Sequence, residues 1–258
     1  MAHVPRNVIT VSPPNLDKTG FLTLEQGLLG PDQPTSRDWL IDRLSEGLQV
    51  RMLRAPLRGF IEFAPGRVSW RPISGAAQSV VIEAVRAEGH AARVLGIGAL
   101  LSVAEDWARY YGFGALLLPA RAGDDKDLIN VLSRQNFKVI DSTIGKLDLW
   151  GKILHGPVAL PSLPQDWHAR AARLGSGLVM QVLGRCDSQL RRMSEVLDMA
   201  RAAGIPARID HLLSAVDARA QLVCPDAQSC VLLDGMVLGD SSWSASRVWQ
   251  EIRRRKGV

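Results

Sequence analysis

Residues 92–120 read ARVLGIGALLSVAEDWARYYGFGALLLPA, and the reading of this stretch decides the fold of the first half of the chain. Gly96 and Gly98 stand one residue apart. An apolar pattern at helical spacing follows to about Tyr111, and the run GALLLPA (114–120) reads as a strand. Glycines opening a helix leave successive N–H groups uncovered, and the helix adds the positive end of its dipole, an arrangement that suits a pyrophosphate. Arg93 adds charge at the entrance. Two common glycine motifs do not fit. A dinucleotide fingerprint needs a third glycine where Leu101 stands, and a phosphate loop of the Walker type needs a lysine that is absent. The alternative is that the two glycines only allow the helix to pack tightly on its strand.

Working outward, QSVVIEAVR (78–86) reads as a buried strand just before the glycines. LQVRMLR (48–54) and RGFIEFAPG (58–66) read as two more strands. TSRDWLIDRLSEG (35–47) is a helix, with Thr35 or Ser36 as its cap, Asp38 in the first turn and Gly47 at its end. Downstream come a helix over 124–136 and two short strands in FKVIDSTIGKLDLW (137–150). HGPVALPSLPQ (155–165) holds three prolines and little charge, which predicts a domain boundary. The pattern then restarts: strand SGLVMQVLG, helix DSQLRRMSEVLDMARAAG, strand IPARIDHL, a short helix near 214–221, the strand pair SCVLLDGMVLG and a last helix from about Ser244. The expected division is 1–155, a linker over 156–172, and 173–258.

The composition narrows the function classes. With 258 residues, 47% hydrophobic and 22% charged, the chain has ample material for a core. No run is long and apolar enough to cross a bilayer, and the first residues lack a signal-peptide core, so a soluble cytoplasmic protein is expected. The net charge of +5 leans toward anionic ligands, but much of the excess lies in EIRRRKGV (251–258), where it complements a helix dipole. Only 5% of residues are aromatic, which argues against single-stranded nucleic acid as a partner. The three cysteines, Cys186, Cys224 and Cys230, have neither zinc spacing nor a CxxC pair, so no metal is expected. Their odd number argues against a disulfide framework. Cys230 reads as a buried thiol, and three free thiols are expected.

The segment Arg93-x-x-Gly96-x-Gly98-Ala99, opening a helix after a central strand, resembles the acyl-CoA pyrophosphate motif of the GNAT N-acyltransferases. VLSRQNFKVID (131–141) is similar to the helix that ends in Gly-Phe in that family, with Asn136 in place of the glycine. VSPPNLDKTGFL (11–22) and the helix and strand that follow resemble the YoaP-type members, which carry a thioredoxin-like domain after the acyltransferase-like one. The resemblance implies an α/β (α+β) fold: a GNAT-like mixed sheet with helices on both faces, followed by a small thioredoxin-like α/β domain. It implies acetyl-CoA, or another acyl-CoA, as co-substrate. Arg93, Val94, Leu95, Gly96, Ile97, Gly98 and Ala99 would form the pyrophosphate loop. A small amine or amino-acid-like molecule would be the acceptor, without nucleic acid or membrane, and with a homodimer left open. The rival reading is a diverged scaffold that binds a ligand without transferring an acyl group.

Amine acylation needs a base. Glu83, in the apolar run VVIEAV, is costly to bury without a purpose or a partner and is one candidate. His90, just before the motif, is the other. The family's usual tyrosine has no counterpart near Leu132 and Ser133; Tyr110 and Tyr111 are the only tyrosines. Cys186 stands where the redox motif of a thioredoxin-like domain would begin, but Gln189 fills the second cysteine position. Pro225 lies near the expected cis-proline.

Overall fold

The computed structural model describes residues 7–30, 34–121, 125–143, 147–156, 160–224, 229–240 and 243–257. In the first part the elements are β1 (Val8–Val11), α1 (Leu16–Thr19), α2 (Phe21–Leu29), α3 (Arg37–Glu46), β2 (Gln49–Leu53), β3 (Gly59–Pro65), β4 (Ser79–Ala87), α4 (His90–Tyr110), β5 (Ala115–Arg121), α5 (Lys126–Arg134), β6 (Lys138–Ser142) and β7 (Leu147–Ile153). The strands form one seven-stranded sheet in the order β1-β2-β3-β4-β5-β7-β6. All neighbours are antiparallel except β4 and β5, which run parallel. Helices cover both faces. Ile97, Leu100, Leu101 and Ala104 of α4 and Leu128, Val131 and Leu132 of α5 pack with Val80, Ile82, Leu116 and Leu118 on one face. On the other, Leu16, Phe21, Leu24 and Leu40 pack with Val50, Met52 and Phe60.

One feature of this sheet positions the site. The parallel pairing of β4 with β5 covers only Ser79 with Ala115, Val80 with Leu116 and Val81 with Leu117. β4 continues to Ala87 and β5 to Arg121, so beyond Val81 and Leu117 the two central strands diverge. A bulge accompanies the divergence: Glu62 pairs with Ala84 and Phe63 with Ile82, which leaves Glu83 as the extra residue of β4.

The start of α4 differs from the sequence expectation. The helix begins at His90, after Gly89 (φ 83°, ψ 147°), so Arg93 through Ala99 lie inside it rather than in a preceding loop. Ala91, Ala92, Arg93, Val94 and Leu95 contain no helix breaker, and two glycines are tolerable in so long a helix. Each serves close packing. A Cβ on Gly96 would lie 3.1 Å from Ala87 Cβ and 3.1 Å from Leu53 Cδ1; one on Gly98 would lie 3.3 Å from Gln135 Nε2. That amide donates to Gly98 O at 2.8 Å and ties α5 to α4. Gly96→Val should therefore destabilise the fold by about 1–3 kcal/mol through overpacking, measurable as a lower urea midpoint. An unchanged midpoint would show that α4 can shift away from β4 freely.

The rest of the chain contains α6 (Trp167–Arg173), β8 (Leu178–Val182), α7 (Asp187–Ala202), β9 (Ala207–His211), α8 (Ala215–Gln221), β10 (Ser229–Leu233), β11 (Met236–Asp240) and α9 (Ala245–Lys256). The four strands form a second sheet, β11-β10-β8-β9, with β8 and β9 parallel and the other neighbours antiparallel. Met193, Val196 and Ala200 of α7 and Val248 and Ile252 of α9 cover one face.

The expected linker is less of a tether than its composition suggests. Ser162 bridges to Ser74, Leu163 N donates to Asp141 Oδ2 at 2.7 Å, and Leu163 is buried with Ile73, Val81 and Leu117. Residues 167–172 belong to α6, where Ala172 lies close to Gly235 of the second sheet's hairpin.

The two sheets share an interface. Trp70 packs with Leu183, Leu212, Ala218 and Leu222. Trp39 Nε1 donates to Leu183 O at 3.1 Å, Ser36 N to Arg185 O at 2.7 Å, and Arg219 Nη1 to Ser69 O at 2.6 Å. At its centre Arg185, from the β8–α7 turn, reaches two buried carboxylates of the first part. Its guanidinium donates twice to Glu62 at 2.8 Å, once to Glu25, and to Thr35 Oγ1 at 3.1 Å. Glu25 and Glu62 are both 0% exposed.

The cysteines also depart from expectation. Cys224 and Cys230 form a disulfide, with Cα atoms 6.1 Å apart, so neither is the free buried thiol the sequence suggested. Close spacing across the entry to β10 made the pairing possible, and the odd total of three obscured it. Cys186 is not in a disulfide; it is buried at the N-cap of α7, with Sγ 2.9 Å from Ser188 Oγ. Pro225 lies outside the described residues.

Candidate active site

Where β4 and β5 part lies a cleft of about 290 Å³, lined by residues from both faces of the sheet. That is close to the lower end of ligand-pocket volumes, about 300–1,000 Å³. On the side of α4 and α5 it is lined by Ile82, Val85, Leu118, Ala120, Leu128 and Ile129, with Arg93 and Asp125 at its edge. On the opposite side its lining includes Arg71, Glu83, Arg86, Arg121 and Leu147. Side-chain alternation explains the division. Val85 and Ala87 face α4, so Arg86 faces away from it; Leu118 faces α4 and Leu117 does not, so Arg121 also faces away.

Glu83 lies in the cleft wall, placed there by the bulge. Its carboxylate is not solitary. Oε1 accepts from Ser69 Oγ at 2.5 Å, and Oε2 accepts from Arg71 Nε at 3.2 Å. Arg71 Nη2 also donates to the backbone carbonyl of Glu83 at 2.9 Å. The partner that makes burial tolerable is thus an arginine on a neighbouring loop, which no local sequence pattern signals. His90 opens α4, and its side chain lies outside the described residues.

Arg93 stands at the mouth of the cleft, and its guanidinium pairs with Asp125. Asp125 also caps α5, accepting from Leu128 N at 3.1 Å. The other residues of the expected pyrophosphate loop are dispersed by the helix. Ile97 is buried, Val94 and Ala99 pack against the core, and Leu95 is 71% exposed. The amides of Gly96 and Gly98 lie within the helix, where N–H groups are committed to carbonyls one turn back. The first bond of that pattern is Arg93 N to Gly89 O at 2.9 Å, so the uncommitted amides are those of the turn before it, at His90, Ala91 and Ala92. No side chain caps this end. The geometry therefore moves the anion-binding expectation from Gly96 and Gly98 to the Gly89–Ala92 turn. Tyr110 and Tyr111 are exposed at the far end of α4 and are not among the cleft-lining residues.

No described group of histidine, cysteine, aspartate and glutamate side chains could hold a metal ion. Among the described residues no helix is long and apolar enough to cross a membrane.

No protein-family profile and no curated protein matches the chain. Solved structures similar to part of it include a ribosomal-protein-alanine N-acetyltransferase from Brucella melitensis. The two are 18% identical over 57% of this chain and 99% of the other, with a TM-score of 0.42. Another is a PaiA N-acetyltransferase from Thermoplasma acidophilum solved with coenzyme A, 13% identical over 57% of this chain and 99% of the other, TM-score 0.41. Likenesses this distant assign neither activity nor substrate, and the functional reading rests on the cleft.

Proposed function

We propose that the protein is an acyl-CoA-dependent N-acyltransferase acting on a small amine. The observation that carries this reading is the cleft that opens where β4 and β5 diverge, with a carboxylate, Glu83, at the bulge. A slot lined from both faces suits a thioester and an amine approaching one another from opposite sides. The apolar lining of Ile82, Val85 and Leu118 suits a slim acyl-bearing arm. The uncapped first turn of α4 suits a pyrophosphate.

The chemistry follows from positioning. The amine nitrogen bonds to the thioester carbonyl carbon, the carbon–sulfur bond breaks, and the proton lost by nitrogen ends on the departing sulfur. Glu83 is the group in the cleft able to take that proton, once its contact with Arg71 loosens. Free amide groups on the lips of β4 and β5 can polarise the carbonyl.

Calorimetry with acetyl-CoA tests the reading before any acceptor is known. The wild type should bind. Ala120→Trp, which fills the cleft, should weaken binding more than tenfold while the circular dichroism spectrum stays unchanged. Undetectable binding by a folded wild type, or equal binding by the tryptophan variant, overturns the assignment. With an acceptor in hand, Glu83→Gln should lower turnover by about 10²–10⁴ without weakening acetyl-CoA binding.

A second reading has its own observation. The Glu83 carboxylate is held by Ser69 and Arg71, as in a structural ion pair, which favours a scaffold that binds without transferring. For the C-terminal sheet we infer a thioredoxin-like unit, supported by its β-α-β-α-β-β-α order and its single parallel pair at β8 and β9. Cys186 at the start of α7 lacks a CxxC partner, so dithiol exchange at that turn is not part of the proposal.

A further inference from the structure

The turn that holds Glu83 is itself held from the second sheet. Ser69 is 0% exposed, and each of its polar groups is in use. Its N donates to Pro65 O at 3.0 Å, at the end of β3. Its hydroxyl donates to Glu83 Oε1 at 2.5 Å and accepts from Arg71 N at 3.1 Å. Its carbonyl accepts from Arg219 Nη1 at 2.6 Å. The next side chain, Trp70, packs with Leu183, Leu212, Ala218 and Leu222 of the second part. Arg71 then returns to the cleft, where its guanidinium meets the Glu83 carboxylate and the Glu83 carbonyl. Arg219 is a firm donor because its helix is pinned. α8 spans seven residues, Ala215–Gln221, too few to hold its shape alone. Ser214 caps its first turn, accepting from Asp217 N at 3.1 Å. Arg170 of α6 donates to the Arg219 carbonyl at 2.9 Å, and Gln181 of β8 donates to the Gln221 carbonyl at 2.9 Å. The helix therefore moves with the second sheet, and Arg219 carries its position into the Ser69–Arg71 turn.

We propose that Arg219 is a positioning residue for Glu83: by fixing the Ser69–Arg71 turn from α8, it sets where the carboxylate stands in the cleft wall. This rests on the N-acyltransferase reading, in which Glu83 takes the proton of the amine. A base works only when the groups behind it hold it to within about 0.5 Å of its productive place. Glu83 is the extra residue of a bulge, so the ladder of β3 and β4 leaves it without a partner. The turn supplies the support that the strand does not, at both carboxylate oxygens and at the backbone carbonyl. When the Arg71 contact loosens to free the base, the Ser69 hydroxyl keeps the carboxylate in place. Arg219 is not among the cleft-lining residues, so the second sheet completes the candidate site without touching what enters it.

The test uses the full-length protein and reads Glu83 directly. A water-soluble carbodiimide with glycinamide converts reachable carboxyl groups to amides, and mass spectrometry of the peptide containing Glu83 gives its labelling rate. Ser69→Ala, the control for the direct contact, should speed that labelling roughly tenfold. Arg219→Ala should speed it roughly fivefold, and Arg219→Lys, which keeps a donor for Ser69 O, should return it to within about twofold of the wild type. Hydrogen exchange gives a second readout. The Arg71 and Ile73 amides, bonded within the turn, should exchange faster in Arg219→Ala, while the amides of β3 and α4 keep their rates. Wild-type labelling of Glu83 in either alanine variant overturns the proposal, as does failure of the lysine to restore it. So does exchange that rises equally through the first sheet, because Arg219 would then only tie the two sheets together. Calorimetry with acetyl-CoA separates the underlying reading. If the wild type does not bind, the acyltransferase assignment falls, while the labelling still reports whether Arg219 places Glu83.

Discussion

Arg185→Ala should destabilise the protein by about 3–5 kcal/mol, the cost of leaving a buried charge without its partner. Two carboxylates, Glu25 and Glu62, lose the guanidinium that makes their burial tolerable. For a chain of this size the melting temperature should drop by roughly 10 °C. Calorimetric melting and urea titration both read the effect. The triple variant Glu25→Gln, Glu62→Gln, Arg185→Met should recover most of the loss, since removing all the charges together removes the desolvation problem too. A single Arg185→Ala variant as stable as wild type would mean that water reaches the carboxylates. Uncoupled losses, with the triple variant as damaged as the sum of its parts, would mean that the residues do not act as one cluster.

The same cluster makes stability depend on pH in an unusual direction. Desolvation, reinforced by the charge of Glu62 and opposed by Arg185 and Thr35, pushes the Glu25 carboxyl from 4.5 up to about 7. Geometry agrees: Oε1 receives both Thr35 and Arg185, whereas Oε2 is buried with no hydrogen-bond partner. Because the folded state holds this proton more tightly than the unfolded chain, the group's stabilising contribution is full below about pH 4.5. It is lost as pH rises through about 7. The loss amounts to roughly 3 kcal/mol at 1.36 kcal/mol per pKa unit. Glu105 and Asp166, whose pKa values are lowered beside lysine and arginine partners, give the opposite slope, so the clean measurement is a difference. Unfolding free energies at pH 5 and pH 8.5 should show Glu25→Gln gaining about 3 kcal/mol on the wild type between them. A difference independent of pH would place the proton elsewhere.

Much of the architecture was legible in the sequence because it depends on local pattern. QSVVIEAVR became β4, GALLLPA β5, and the second-half series of strands and helices appeared in order. The glycines misled because sequence records only that a Cβ is missing. Gly96 lacks one to admit Ala87 and Leu53, and Gly98 to admit Gln135, yet both look like loop glycines from the outside. Gly89 is an N-cap without the usual capping side chain, so the true start of α4 carried little signal. Helices α1 and α2 went unread, although Phe21, Leu24 and Leu28 have helical spacing. The interface cluster joins residues 25, 62 and 185, and no local window spans them. One signal was available: FIEFAP places Glu62 in an apolar strand, the argument already applied to Glu83. Glu83 itself was read as a candidate base, but its arginine partner lies on a loop whose path depends on tertiary packing.

An open seven-stranded sheet laddered throughout has two edges; this one has four. Beyond Val81 and Leu117 the facing sides of β4 and β5 are unladdered, so two edges lie at the centre of the molecule. Edges on the outside invite other chains to add a strand and are a hazard that proteins blunt. Here they line a slot, where only something as narrow as a single extended chain can reach their N–H and C=O groups. Hydrogen exchange should therefore run against the usual order. Amides of these lips should exchange faster than those of β3 and β7, their outer neighbours, and should slow markedly when a slot-filling ligand supplies the missing ladder.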